Sequence, residues 1–139
     1  MISAVACMAL ALYFEARGEP VTGQIAVGHV ILNRVLDKRF PESVCEVVFQ
    51  GQTYKSKPDL PIRNKCQFSF WCDGKSDKPK NYAAYQEAVY LSRMILNSDF
   101  SDPTEGSTHY HTIEILPSWA SSKTPTVTIS NHIFYRWEK

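Results

Sequence analysis

Apolar residues dominate the start of the chain, running almost unbroken from Ile2 to Phe14. The Ala, Leu and Met content of this run favours a helix over about Ser3 to Phe14. Because it is apolar nearly all round, it predicts a central, buried helix. Gly18 and Pro20 end it. A second helix is expected from about Thr22, which can cap it. Ile25, Val27, Val30, Ile31, Leu32 and Val35 give that helix a broad apolar face, and Phe40-Pro41 stops it. A short helix over Ser43 to Phe49 follows. From Gln50 to Lys80 no period is visible and Lys, Pro, Asp and Gly abound. That predicts a long surface excursion around one ordered island, Cys66 to Trp71. Helical spacing returns from Tyr82 to Asn97, where Ala84, Ala88, Leu91 and Ile95 fall on one stripe. Asp102 to Gly106 reads as a turn. Thr108 to Thr112 looks extended, and Val127 to Ile129 and Ile133 to Trp137 read as two strands joined near Ser130-Asn131. The pattern predicts an α+β, mainly helical domain with a small antiparallel β-sheet, filling residues 1–139 as one unit.

Composition narrows the function. The chain has 139 residues, of which 44% are hydrophobic and 21% charged. Such a chain suits one soluble core. A formal charge of +1 supplies no broad field for nucleic acid. A local basic patch could still meet a polyanion. The apolar N-terminal run is too short to span a membrane. It also lacks a basic flank and a cleavage zone, so it reads as the first helix of the mature domain rather than a signal peptide. Of the four cysteines, Cys7 reads as a buried free thiol in that helix. Cys45, Cys66 and Cys72 lie in or beside one stretch. If the protein works outside the cytoplasm, a disulfide there would pair Cys45 with Cys66 or Cys72.

Three clusters carry candidate chemistry. The first is Glu15-Ala16-Arg17-Gly18-Glu19-Pro20. Burial and the negative end of a helix dipole both raise the pKa of a carboxyl placed like that of Glu15. A general acid needs such a pKa to hold its proton near neutral pH. Arg17 and Glu19 would line the same corner or pair with each other. The second cluster is Thr108-His109-Tyr110-His111, whose His109 and His111 share one face of an extended segment. With His132 they offer an alternative, a three-His zinc site activating water. The third is Cys66 to Trp71, where Gln67 and Ser69 would lie on one face of a strand and offer hydrogen bonds to a sugar amide.

The blocks Tyr13 to Glu19, Gly23 to Val27, Val30 to Val35, Val44 to Val48, Cys66 to Ser69, Thr108 to His111, Pro117 to Ala120 and Ile129 to Arg136 resemble, in order, the cell-wall hydrolase family of spore cortex-lytic enzymes (the SleB/CwlJ type). The resemblance implies a lysozyme-like fold and cleavage of the bond between N-acetylmuramic acid and N-acetylglucosamine in the manner of a lytic transglycosylase. It implies Glu15 as the catalytic residue, with no metal and no cofactor. Arg17, Glu19, Gln67, Ser69, His109, Tyr110 and His111 are the expected substrate-binding residues. The expected partner is bacterial peptidoglycan, met by a monomer in the cell wall or periplasm, with no nucleic acid and no membrane span. The sequence shows no wall-binding domain and no export signal, which many relatives carry, and its lysine-rich stretch is long. Those departures fit a phage endolysin or a wall-remodelling enzyme. Two alternatives stay open: a zinc-dependent N-acetylmuramoyl-L-alanine amidase, and a non-catalytic peptidoglycan-binding module.

Overall fold

The computed structural model describes residues 2–138. Helix α1 (Ala4–Ala16) is the axis of the fold. Ser3 caps it by accepting the Ala6 amide at 3.1 Å. Cys7, Met8, Ala9, Ala11, Leu12 and Ala16 are all fully buried, which is why the helix carries no polar stripe. Burying a side chain the size of Leu12 or Met8 stabilises the fold by roughly 1.5–3 kcal/mol. Around α1 pack α2 (Val21–Leu36), α3 (Val44–Val48) and α4 (Tyr82–Leu96). Helix α2 begins at Val21 after Pro20, so Thr22 lies inside its first turn and does not cap it. Pro at the helix boundary loses nothing, because the first amides have no partner in the helix. Gly28 sets the closeness of α2 to its neighbours. A Cβ there would stand 2.5 Å from Ile95 Cδ1 of α4.

Two small antiparallel sheets complete the chain. The segment after α3 forms a hairpin, β1 (Gly51–Tyr54) with β2 (Lys57–Cys66), where an irregular loop was expected. Cys66 to Trp71 is not a strand. It passes from the end of β2 into a 3₁₀ turn over Ser69–Cys72. Phe68 and Phe70 still point inward, and Gln67 and Ser69 outward. The second sheet has the order β3-β5-β4, with β3 (His109–Thr112), β4 (Thr124–Ile129) and β5 (His132–Arg136). Phe134 of β5 is fully buried against Ala26 and Val30 of α2, which seats this sheet on the helices. Asn33 of α2 fixes its approach by donating to the Asp102 carboxylate and the Ser107 carbonyl, both at 2.9 Å.

The cysteines pair differently from expectation. Cys7 is not free but bonds Cys45, tying α1 to α3 across 38 residues, and Cys66 bonds Cys72 across the 3₁₀ turn. Cys7 faces α3 because α1 is buried on every side. Cys66 and Cys72 are brought together by the turn itself.

Candidate active site at the end of α1

Glu15 lies in the last turn of α1, with its neighbour Ala16 in the core. Its one hydrogen-bond partner among the described residues is the Tyr110 hydroxyl of β3, which donates to Oε1 at 3.0 Å. Burial pushes the Glu15 carboxyl above the usual range, and the Tyr110 bond offsets part of that rise. The Tyr110 phenol is itself pushed well up by burial and by the adjacent carboxyl, so it remains a donor.

Two pockets meet at this carboxyl. The first, of about 330 Å³, is lined by Glu15, Gln67, His109, Tyr110 and His111, with Trp119 opposite. The second, of about 500 Å³, is lined by Glu15, Arg17, Ser69 and a set of lysines. Among the described residues of the first pocket, Glu15 is the only carboxylate. Trp119 stands 5.0 Å from the His109 ring and 5.3 Å from the Tyr135 ring. Of these rings, Trp119 and His109 line the pocket and form an aromatic wall suited to a sugar face, with Tyr135 buried behind Trp119. The arrangement is a carboxyl whose pKa burial raises, at the meeting point of two pockets that open to either side of it.

A sequence profile of the family described as Cell Wall Hydrolase matches residues 18–135. The chain belongs to this family. Among its relatives is a spore cortex-lytic enzyme of Halalkalibacterium halodurans, 33% identical over 129 residues, a match that takes in 91% of this chain and 33% of that protein. A spore cortex-lytic enzyme of Bacillus cereus is 47% identical over 55 residues, covering 40% of this chain and 21% of the relative. The chain thus spans about a third of the first relative's length or less. The catalytic domain of the germination-specific lytic transglycosylase SleB from Bacillus anthracis superposes with a TM-score of 0.70 at 30% identity, covering 96% of this chain and 93% of that domain. The fold is therefore the α+β fold of that domain.

The other expected site residues distribute unevenly. Arg17 does not pair with Glu19. Its guanidinium stacks on the Tyr13 ring, 4.3 Å from the centroid, and donates to the Tyr13 hydroxyl. Glu19 lines neither pocket that meets Glu15. It accepts from Asn131 at 3.3 Å, and its other oxygen lies 3.6 Å from His132 Nδ1, behind the wall of the first pocket. The three histidines all line the first pocket, but from opposite faces of the sheet. In the β3–β5 register, His109 and His111 share a face with Tyr135 and Ile133, whereas His132 lies on the opposite face with Tyr110 and Phe134. His111 Nε2 is engaged by the Tyr135 hydroxyl at 2.8 Å. His109 stands beside the Thr108 hydroxyl at 2.9 Å, and burial with the nearby Arg34 charge lowers it to about 4. No group of three or more His, Cys, Asp or Glu among the described residues is placed to hold a metal ion.

Arg34 is the lining residue that sequence reasoning passed over as a functional group. It sits one turn beyond Val30 and Ile31, on the buried stripe of α2, and that position was its signal. Its Nε donates to the Thr108 carbonyl at 2.7 Å, and its guanidinium stacks on Phe40 and Phe68. Burial lowers it to about 10, which leaves it charged at neutral pH. It anchors the start of β3, the strand that carries Tyr110 to Glu15.

Proposed function

We propose that the chain cleaves the glycan strands of peptidoglycan between N-acetylmuramic acid and N-acetylglucosamine as a lytic transglycosylase, with Glu15 serving first as acid and then as base. Glu15 gives its proton to the glycosidic oxygen as the bond from that oxygen to the muramic C1 breaks. The carboxylate so formed takes the proton of the muramic 6-hydroxyl as O6 bonds to C1. No water enters, and Glu15 returns protonated. The observation that carries this reading is a lone carboxyl in the first pocket, its pKa raised by burial, shared with a second pocket on its other side. The common hydrolytic schemes need a second carboxylate at a set distance. The nearest candidates serve elsewhere: Glu19 faces His132 and Asn131, and Asp73 accepts the Lys75 amide at the rim of the second pocket. The relation to the SleB catalytic domain supports the same chemistry.

In this reading Gln67, His109, Tyr110 and His111 meet the sugar in the first pocket, and Arg17 and Ser69 line the other side. Glu19 supports His132 rather than the substrate. Two disulfides suit work outside the reducing cytoplasm, in the wall or periplasm. The zinc-amidase alternative finds no support in the opposed faces of His109 and His132. The test is the chemical form of the product: anhydromuramic ends from purified walls support the proposal, and freed stem peptides from an intact glycan refute it.

A further inference from the structure

The two pockets that meet at Glu15 differ in charge. The first is aromatic, with Arg34 committed to the Thr108 carbonyl. The second carries Arg17, Lys75, Lys78 and Lys80 against one acid besides Glu15, namely Asp73. None of these four cations forms an ion pair among the described residues. Arg63 adds a fifth positive group nearby, because its guanidinium lies 2.8 Å from where a Cβ on residue 74 would stand.

This basic segment is built into the fold. The Cys66–Cys72 disulfide holds its start. At its other end the backbone amides of Lys80 and Asn81 donate to the Tyr13 hydroxyl at 3.0 and 2.9 Å. Tyr13 is two residues from Glu15 on α1, so the lysines are fastened to the catalytic end of that helix. Asp73 accepts the Lys75 amide at 2.9 Å, and with Asp77 beside it offsets only part of the charge of the three exposed lysines and Arg17.

In a peptide-bearing strand the lactyl carboxyl of muramic acid is tied up in the amide bond to the stem, so the sugars themselves are neutral. The negative charge next to a scissile bond lies in the carboxylates of the peptide stems borne by muramic acid. From this complementarity we infer that Lys75, Lys78 and Lys80 form a subsite for stem-peptide carboxylates, which makes peptide-bearing strands the preferred substrate. The inference rests on the glycan-cleaving reading of Glu15 and adds a specificity element to it.

The test uses the full chain on three strand preparations freed of teichoic acid: strands with native stems, the same strands with stem carboxylates converted to methylamides, and strands stripped of stems by an amidase with the lactyl carboxylates so freed also converted to methylamides. We expect kcat/KM on native stems to exceed that on either neutral strand by about five- to ten-fold at low salt. The advantage should shrink to less than about two-fold near 0.5 M salt, where exposed charges are screened within a few ångströms. The triple variant Lys75→Gln, Lys78→Gln, Lys80→Gln should lose the difference between native and methylamidated strands. Lys75→Glu with Lys78→Glu should reverse it. These side chains are exposed, and a melting curve checks that the variants fold. Equal rates of the unmodified protein on native and methylamidated stems, or an undiminished preference in the triple variant, would overturn the inference while leaving glycan cleavage standing. Absence of cleavage on all three strands would overturn both readings.

Discussion

Replacing Tyr110 by Phe removes one oxygen and tests how the acid is tuned. The Tyr110 hydroxyl donates to Glu15 Oε1 at 3.0 Å and accounts for the part of the environment that favours the carboxylate, while burial favours the acid. A hydrogen bond to a charged acceptor contributes roughly 1.5–3 kcal/mol, and one to a neutral acceptor roughly 0.5–1.5 kcal/mol. The difference, about 1–1.5 kcal/mol, is the preference that Tyr110 gives to the ionised form, and about 1.36 kcal/mol corresponds to one pH unit. Without it, burial acts unopposed and Glu15 keeps its proton to higher pH. If Glu15 is the acid, the rate falls on the alkaline side as it ionises, so that limb of the kcat/KM profile should move up by about one pH unit in Tyr110→Phe. The assay is release of soluble glycan from purified walls between about pH 4 and 9. The Phe134 and His132 rings that pack on Tyr110 should hold the Phe ring in place, so the melting temperature checks only gross damage. An alkaline limb that stays put or moves to lower pH would refute this account of the tuning.

Further outcomes follow from the same geometry. Glu15→Gln should lower wall lysis by about two orders of magnitude or more, the usual scale for losing acid catalysis. Its stability should change in the opposite direction. A carboxyl whose folded pKa is raised stabilises the fold below its unfolded pKa and loses that contribution as pH rises through the folded value. Glu15→Gln should therefore melt higher than the parent at pH 8, with the gap closing toward pH 4. Glu19→Gln should cost less activity than Glu15→Gln in the same lysis assay, and the reverse order would exchange their roles. Excess chelator should leave lysis largely intact, and zinc-dependent loss and recovery would favour the amidase chemistry. Denaturant titration should find removal of Cys7–Cys45 costlier than removal of Cys66–Cys72, because the paired cysteines are separated by 38 and by 6 positions respectively. The chain-entropy account assigns about 4 kcal/mol to the longer loop and about 2 kcal/mol to the shorter.

The helices were readable because each buries a stripe or, for α1, its whole circumference. A 3.6-residue period leaves that mark in the sequence. The β1–β2 hairpin was not readable, because β1 is exposed at every position and β2 at most, so no alternation exists to detect. The Cys7–Cys45 bond depends on α3 docking against α1, a tertiary fact that local spacing does not carry. The Glu15 corner was legible from a carboxyl set at the end of an apolar helix. Its partner Tyr110 lies 95 residues away, and only the seating of the β3-β5-β4 sheet on α2 brings the two together. His109 and His111 were correctly placed on one face of an extended segment. That His132 falls on the other face follows from the β3–β5 register, which the sequence leaves open. Arg34, a charge on the buried stripe of α2, was passed over, and the lysines of the second pocket showed only as a run without a period.

The measurement that bears most directly on the central claim is mass spectrometry of the muropeptides released from purified walls. Attack by the muramic 6-hydroxyl leaves a 1,6-anhydro ring and no new reducing end. Attack by water leaves a reducing sugar heavier by one water. An amidase leaves the glycan whole and frees peptides. With a single buried carboxyl at the meeting point of the two pockets, the account predicts that anhydromuramic ends predominate and that Glu15→Gln abolishes them. A digest dominated by reducing muramic acid or by free stem peptides, with anhydro ends absent, would contradict it.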